Sequence, residues 1–240
     1  PLLPDSLISL QCENNLLSVL PTLPDDLEML YCAFNQLTSL PALPNHLIEL
    51  GCFSNQLTNL PTLPISLVYL FCGANQLTNL PELPNNLLEL DCRQNLLSNL
   101  PTLPGITKLI CGNNQISNLP SLPGTLVFLA CEFNQITHLN EVPDSMVIFI
   151  INNNNISCIN NLPVVGNFPP TNANITNNLL TCVPNQTWYS TGMPVCSNND
   201  PINNPNNCPG VNITGYVFTD QNNNCSYNMT DLPAENIPVR

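Results

Sequence analysis

The feature that most constrains this chain is the tetrapeptide Cys-x-x-Asn, which recurs at almost constant spacing. It begins at Cys12, Cys32, Cys52, Cys72, Cys92, Cys111 and Cys131. Neighbouring cysteines are 20 positions apart, except that Cys92 and Cys111 are separated by 19. A fixed period of this length predicts a solenoid, in which each repeat stacks on the one before it.

Within each repeat the leucines also hold fixed positions, as at Leu47, Leu50 and Leu57 around Cys52. One repeat cannot bury these side chains alone, so they are expected to face a shared core. The alternation of inward and outward residues at each cysteine is typical of a strand, and stacked strands form a parallel β-sheet on the concave face. The ladder asparagines, such as Asn35, are expected to bind the backbone of adjacent repeats.

The segment that returns the chain to the next strand reads Leu-Pro-x-Leu-Pro, as in residues 40–44. Its two prolines remove amide donors and keep the preceding residues extended. The convex side is therefore predicted to be polyproline II or irregular, with essentially no helix.

Together these positions spell LPxLPxxLxxLxCxxNxL, and the chain resembles bacterial leucine-rich repeat proteins. The spacing is similar to the short repeats of Gram-negative type III effectors, which often carry a ubiquitin-ligase domain with a nucleophilic cysteine. Nothing in this chain corresponds to that domain. Cysteine in place of leucine, Asn-rich flanks and the C-terminal segment look more like secreted multidomain proteins of the Bacteroidetes. The resemblance specifies the fold closely and the ligand hardly at all.

Charge excludes some functions. Sixteen acidic residues against three basic ones give a formal net charge of −13, which disfavours nucleic acid and anionic membranes. No apolar run approaches the roughly 18–20 residues that span a bilayer, so direct membrane insertion is not expected. The two histidines, His46 and His138, fall in different repeats without a nucleophile in register. We therefore expect a protein that is not an enzyme.

The twelve cysteines form two populations. The ladder cysteines are interpreted as small buried hydrophobic residues rather than a metal or redox stack, because parallel neighbours point the same way and cannot bridge. Among the later cysteines, Cys158–Cys182 is the first-choice disulfide and Cys182–Cys196 its competitor. Connectivity stays open on sequence alone. A disulfide would indicate a secreted or cell-surface protein, exposed outside the outer membrane.

Composition divides the chain into four segments. Residues 1–162 carry the leucine-rich repeats, and residues 163–198 are interpreted as irregular terminal repeats and a cap. Residues 199–211 form a polar, proline-punctuated linker. Residues 212–240 resemble the first strand and loop of a prealbumin-like B domain of bacterial surface adhesins. That stretch is too short for a complete sandwich, so further domains of the same chain are expected.

The last segment also contains oxygen-bearing residues at the spacing of a calcium loop, namely Asp220, Asn222, Asn224, Ser226, Asn228 and Asp231. Glycine is replaced by Cys225 at the sixth position, and only two of these residues are carboxylates. A Ca²⁺ site and an Asn-rich turn without metal are both compatible with the pattern. The repeats themselves call for no cofactor.

A partner-binding site is predicted on the outward strand positions, whose residue types vary between repeats. Exposed aromatic residues on one face are costly unless they are used. The predicted site comprises Met29, Tyr31, Phe53, Tyr69 and Phe71, with Arg93 and an acidic rim of Glu28, Glu49, Glu89 and Asp91. A patch of this kind could instead contact later domains of the same chain.

These features favour a non-enzymatic, secreted or cell-surface module that binds a protein or peptide through its concave sheet. The alternatives are a structural spacer in a large adhesin and a secreted effector acting on host proteins. The adhesin-like tail argues against the effector.

Overall fold

The computed structural model describes residues 3–159 and 173–180, together with the backbone of two short strands at 218–219 and 232–233. The predicted β-solenoid is confirmed. Successive repeats contribute one short strand each, and no helix occurs in these described stretches. No helix in the same stretches is long and apolar enough to cross a membrane.

The strands follow one another in chain order. They are β1 (Ser9–Gln11), β2 (Met29–Tyr31), β3 (Glu49–Gly51), β4 (Tyr69–Phe71), β5 (Glu89–Asp91), β6 (Lys108–Ile110), β7 (Phe128–Ala130), β8 (His138–Leu139), β9 (Ile148–Ile150), β10 (Cys158–Ile159), β11 (Ala173–Asn174), β12 (Phe218–Thr219) and β13 (Leu232–Pro233).

One parallel sheet, in the order β1-β2-β3-β4-β5-β6-β7-β9-β11, runs along the described solenoid. Its register follows the sequence period, so that Leu10 pairs with Leu30 and Leu30 with Leu50. Each central strand residue faces the core: Leu30, Leu50, Leu70 and Leu90 are fully buried. The cysteines Cys32 to Cys131 and then Ile151 form a second fully buried row, which confirms their role as small hydrophobic residues.

The asparagine ladder closes the bend after each strand. Asn35 donates from Nδ2 to the carbonyls of Cys12 (2.9 Å) and Cys32 (3.1 Å), and its Oδ1 accepts from the Leu17 amide (2.9 Å). The residue before each asparagine is left-handed, with φ of 52° at Phe34 and 51° at Ala74. That geometry is uncommon outside glycine, and the hydrogen bonds that the asparagine makes between repeats hold the bend in place.

The repeat between Cys92 and Cys111 is one residue shorter than the others, and the missing residue falls in a tight turn on the return side. In a full repeat the Leu87 amide donates to the Pro84 carbonyl (3.0 Å), which closes a turn of four residues. In the short repeat the Ile106 amide donates to Pro104 (2.7 Å), and Gly105 alone forms the corner. The deletion therefore leaves the sheet register intact, with Leu90 paired to Leu109.

The return side is irregular, as predicted, except for a parallel pair formed by β8 and β10. In the six earlier repeats a proline follows the leucine at this position, as Pro101 follows Leu100. In the two repeats that pair, the corresponding residues are Asn140 and Asn160. Asparagine has the amide donor that proline lacks, so strand pairing becomes available there.

Candidate functional site

The outer sheet face is built from three columns of residues that flank the buried central leucines. Column A is the first residue of each strand: Ser9, Met29, Glu49, Tyr69, Glu89, Lys108, Phe128 and Ile148. Column B is the third: Gln11, Tyr31, Gly51, Phe71, Asp91, Ile110, Ala130 and Ile150. Column C lies two residues further on: Glu13, Ala33, Phe53, Gly73, Arg93, Gly112, Glu132 and Asn152.

The predicted apolar site residues all lie in these columns, and the side chains are half-buried rather than exposed. Tyr31 leans over the neighbouring repeat, because a Cβ added at Gly51 would lie 3.0 Å from Tyr31 Cδ1. Its hydroxyl lies 3.9 Å from Met29 Sδ. Since identical backbone positions lie about 4.8 Å apart in adjacent strands, side chains such as these cover neighbouring glycines and lose exposure.

Phe53 has a partner that the predicted site did not include. Its ring meets Phe34 edge to face, with centroids 4.9 Å apart and an interplanar angle of 81°. Phe34 is 50% exposed and occupies the left-handed position before Asn35. A bulky residue at that strained position is the sequence signal that could have identified it.

Charges at the middle of the face are paired internally. Asp91 Oδ2 lies 2.7 Å from Arg93 Nη2, and Asp91 Oδ1 accepts from the Arg93 amide at 3.2 Å. Lys108 Nζ lies 3.3 Å from Glu89 Oε2 and 5.6 Å from the centre of the Phe128 ring. Asp91 was expected to be an exposed rim acid, and that expectation is wrong: it is only 8% exposed. Arg93 supplies the opposite charge that makes its burial tolerable.

The first three repeats carry acids with no such pairing among the described side chains. Glu13, Glu28 and Glu49 take part in neither of the ion pairs found in residues 3–159. Burial, then a hydrogen bond to Glu49 and the charges of Glu49 and Glu13, raise the pKa of the Tyr31 hydroxyl. Glu13 and Glu49 therefore both lie near Tyr31. The outer face is acidic at its first three repeats, and in its middle, which we call the self-neutralised part, the acids are paired with Arg93 and Lys108.

A cavity of about 400 Å³ opens on the self-neutralised part of the face. Its lining comprises Phe53, Ser54, Phe71, Gly73, Ala74, Asp91, Arg93, Gln94, Lys108 and Ile110. Gly73 leaves a gap in column C between Phe53 and Arg93. A Cβ there would lie 3.1 Å from the Arg93 carbonyl oxygen and 3.3 Å from Asp91 Oδ1. Sequence reasoning did not include Gly73, Gln94, Lys108 and Ile110 in the site. The available signal was Gly73 itself, one of the two glycines of column C.

The buried ladder thiols from Cys32 to Cys111 stay protonated, and so unreactive, in the ordinary pH range. Burial raises the pKa of Cys32 to about 12, and burial likewise raises the pKa values of Cys52, Cys72 and Cys92. At Cys111 a hydrogen bond with Cys131 is the first cause of a raised pKa, followed by burial. All seven ladder cysteines are unbridged. Within the described residues no group of three or more His, Cys, Asp or Glu side chains could hold a metal.

The remaining predicted sites lie outside the described residues. This applies to the side chain of Cys158, to Cys182 and Cys196, and to the six residues of the calcium pattern from Asp220 to Asp231. Only backbone is described near that pattern, where β12 and β13 pair antiparallel.

No protein-family profile matches the chain, and no curated protein does either. Among solved structures it is similar to YopM from Yersinia enterocolitica, with 31% identity over 75% of this chain and 48% of that one, and a TM-score of 0.59. It thus spans about half the length of that relative. InlJ from Listeria monocytogenes, whose functional domain is described as including a cysteine ladder, shares 28% identity over 75% of this chain and 41% of that one, with a TM-score of 0.58.

A third similar structure is the leucine-rich repeat domain of a Shigella effector. The two chains are 31% identical, the match covers 73% of this chain and 71% of the Shigella domain, and the TM-score is 0.54. The repeat motif, the parallel sheet with its buried leucine, cysteine and asparagine rows, and this extent of similarity lead to one conclusion: the chain belongs to the bacterial leucine-rich repeat proteins.

Proposed function

We propose that the protein is a non-enzymatic recognition module that binds a partner protein or peptide through its outer sheet face. The observation that carries the proposal is that Phe53 and Phe71 line a cavity of about 400 Å³, and that Tyr31 shares their variable outer columns. Protein interfaces typically combine central aromatic anchors with a polar surround. Glu49 of column A supplies part of that surround, and Glu28 directly precedes Met29 of the same column.

The partner should be neutral or basic. The chain carries a formal net charge of −13, and its two described Lys and Arg side chains on this face are already paired with acids. Attraction between an acidic face and a basic partner speeds association and weakens as salt rises. The Shigella relative is named an effector, which agrees with a protein that meets other proteins outside the cell that makes it.

We place this module at the surface of, or secreted from, a Bacteroidetes-like cell, as part of a larger adhesin. The four-segment organisation, with repeats to residue 162, a cap to 198, a linker to 211 and a prealbumin-like segment from 212, belongs to this proposal. So do the Cys158–Cys182 disulfide and the Ca²⁺ loop at Asp220 to Asp231. Mass spectrometry of non-reduced peptides and calcium-dependent protection of the tail against protease test these parts separately.

The proposal is tested by selecting binders from a displayed library of random peptides. Enriched peptides should bind the wild type and lose at least ten-fold in affinity with the Tyr31→Ala/Phe71→Ala double variant. The matched control is Ile65→Ala, which removes a side chain that is 82% exposed on the return side. Circular dichroism and thermal unfolding establish that each variant is folded.

If no enriched peptide depends on Tyr31 or Phe71, the outer sheet face is not the recognition surface. That outcome would support the alternative of a structural spacer. Equal losses with Ile65→Ala would likewise contradict the proposal.

A further inference from the structure

We propose that the cavity over Gly73 is an anchor pocket for an aromatic side chain of an extended partner segment, and that a basic residue of the same segment binds the acids of the first three repeats. This inference rests on the proposed function and adds the chemistry that the face selects. It comes from three observations: the walls of the cavity, the pairing of its charges, and the uneven distribution of acids along the sheet.

The walls of the cavity are suited to an aromatic ring. Phe53 and Phe71 lie on one side of the cavity and Ile110 on the other, with Asp91 of β5 between Phe71 and Ile110. Gly73, which has no side chain, lines the cavity next to Arg93. Aromatic pairs favour edge-to-face or offset contacts with centroids about 4.5–7 Å apart. Phe53 already makes one such contact with Phe34, which fixes the orientation of its ring.

The charges at the cavity disfavour an ionic side chain. A partner carboxylate would have to displace Asp91 from Arg93, to which it is bound at 2.7 Å, or Glu89 from Lys108, at 3.3 Å. A partner cation would instead meet two cations at the rim. An aromatic ring avoids both problems, and the faces of aromatic rings attract Arg and Lys side chains.

The unpaired acids lie to one side of this pocket. Phe71 belongs to β4, whereas Tyr31, with Glu13 and Glu49 around it, belongs to β2. Two steps between adjacent strands span about 10 Å, which an extended peptide crosses in roughly three residues. The expected recognition element is therefore an aromatic residue and an Arg or Lys roughly three residues apart.

A matched pair of substitutions tests the pocket. Ala74 lines the cavity and has φ of 51°, and the equivalent positions of other repeats hold Phe34 (52°) and Phe133 (55°). Ala74→Phe should therefore fill the pocket while the backbone keeps the left-handed φ that phenylalanine already adopts at positions 34 and 133. Asn113→Phe makes the same change at the same kind of position (φ 56°), but Asn113 does not line the cavity.

The probes are the peptides enriched on the wild type, measured by fluorescence anisotropy. We expect enrichment of an aromatic residue with Arg or Lys two to four residues away. Ala74→Phe should weaken binding at least ten-fold and Asn113→Phe less than two-fold. If Ala74→Phe does not fold, Gln94→Phe at the equivalent position of the next repeat replaces it, since Gln94 is also left-handed (φ 55°) and lines the cavity.

The acidic part is tested with Glu28→Gln/Glu49→Gln, against Glu82→Gln on the return side. The double variant should weaken binding several-fold at low salt, and the difference should shrink at high salt because exposed charges are then screened. Peptides that need Tyr31 and Phe71 but bind Ala74→Phe normally would overturn the pocket and leave the proposed function standing. Peptides that bind both double variants, Tyr31→Ala/Phe71→Ala and Glu28→Gln/Glu49→Gln, normally would overturn both proposals.

Discussion

The first and fifth repeats carry the same motif, Cys-x-x-Asn, and differ in what surrounds it. Asn95 accepts from the Leu77 amide (2.9 Å) and donates to the carbonyls of Cys72 (3.1 Å), Cys92 (3.1 Å) and Arg93 (3.3 Å). Asn15 donates to Cys12 (3.2 Å) and Glu13 (2.9 Å), both in its own repeat. Cys92 is fully buried, whereas Cys12 is half-buried.

The difference shows that the asparagine side chain makes hydrogen bonds between repeats only where a preceding repeat is present. In a solenoid each repeat contacts only its neighbours, so stability is a sum of intrinsic terms and interfaces between repeats. Identical residues should therefore give unequal effects on mutation, depending on how many neighbours they have.

The largest expected effect is alkaline destabilisation by the inner thiols. Their pKa values are raised from the ordinary 9.0 at Cys32, Cys52, Cys72, Cys92 and Cys111. Below about pH 9 both states keep these protons. Above it the unfolded chain releases protons that the folded chain retains, so the free energy of unfolding should fall by about 1.4 kcal/mol per pH unit for each thiol. Urea unfolding at pH 7, 9 and 10.5 measures this slope.

The control for that slope is Cys92→Val, which replaces one thiol by an apolar side chain, as Ile151 does later in the row. It should reduce the slope by about 1.4 kcal/mol per pH unit. An unchanged slope would mean that the buried thiols do not govern the alkaline limit.

An intermediate effect is expected from the ladder asparagines. Asn95→Ala leaves a buried amide and two buried carbonyls without their partner, and each such loss costs about 1–3 kcal/mol. Asn15→Ala removes only exposed hydrogen bonds within one repeat and should cost less than about 1 kcal/mol. Chemical denaturation of the two variants gives the comparison. Equal losses would show that stacking does not set the contribution of the asparagine.

The smallest expected effect concerns the chemical reactivity of Cys12 and involves no change in the free energy of unfolding. Its pKa is raised by burial and by the charge of Glu13, but its side chain is half-buried and within reach of a reagent. The sequence pattern predicts that all seven ladder cysteines are buried, but Cys12 is half-buried whereas the other six are buried. We therefore expect that Cys12 alone of this row reacts with a water-soluble maleimide in the native state. Peptide mapping after brief labelling identifies the site, and labelling of Cys72 or Cys92 at the same rate would contradict it.

Much of the fold could be predicted because it depends on the period. The buried rows at Leu50, Cys52 and Asn55 follow from residues that recur every repeat, and so does the register of the sheet. The candidate site could be predicted only in outline. The outward strand positions of Met29, Tyr31 and Phe71 could be predicted from the alternation along each strand. The pairing of Asp91 with Arg93, the contact of Phe34 with Phe53 and the cavity lined by Gly73 could not.

By itself the sequence determined the solenoid, since a single repeat of leucine, cysteine and asparagine can satisfy its core and backbone only by stacking on another. It also determined where the deleted residue is absorbed, because Gly105 stands in a turn outside the sheet. The tertiary structure alone decided how the outer face is divided into an acidic end and a self-neutralised middle. Apart from Asp91 and Arg93, the residues that meet there are about 20 positions apart. Their types obey no period, so their burial and pairing depend on which side chains are stacked beside them.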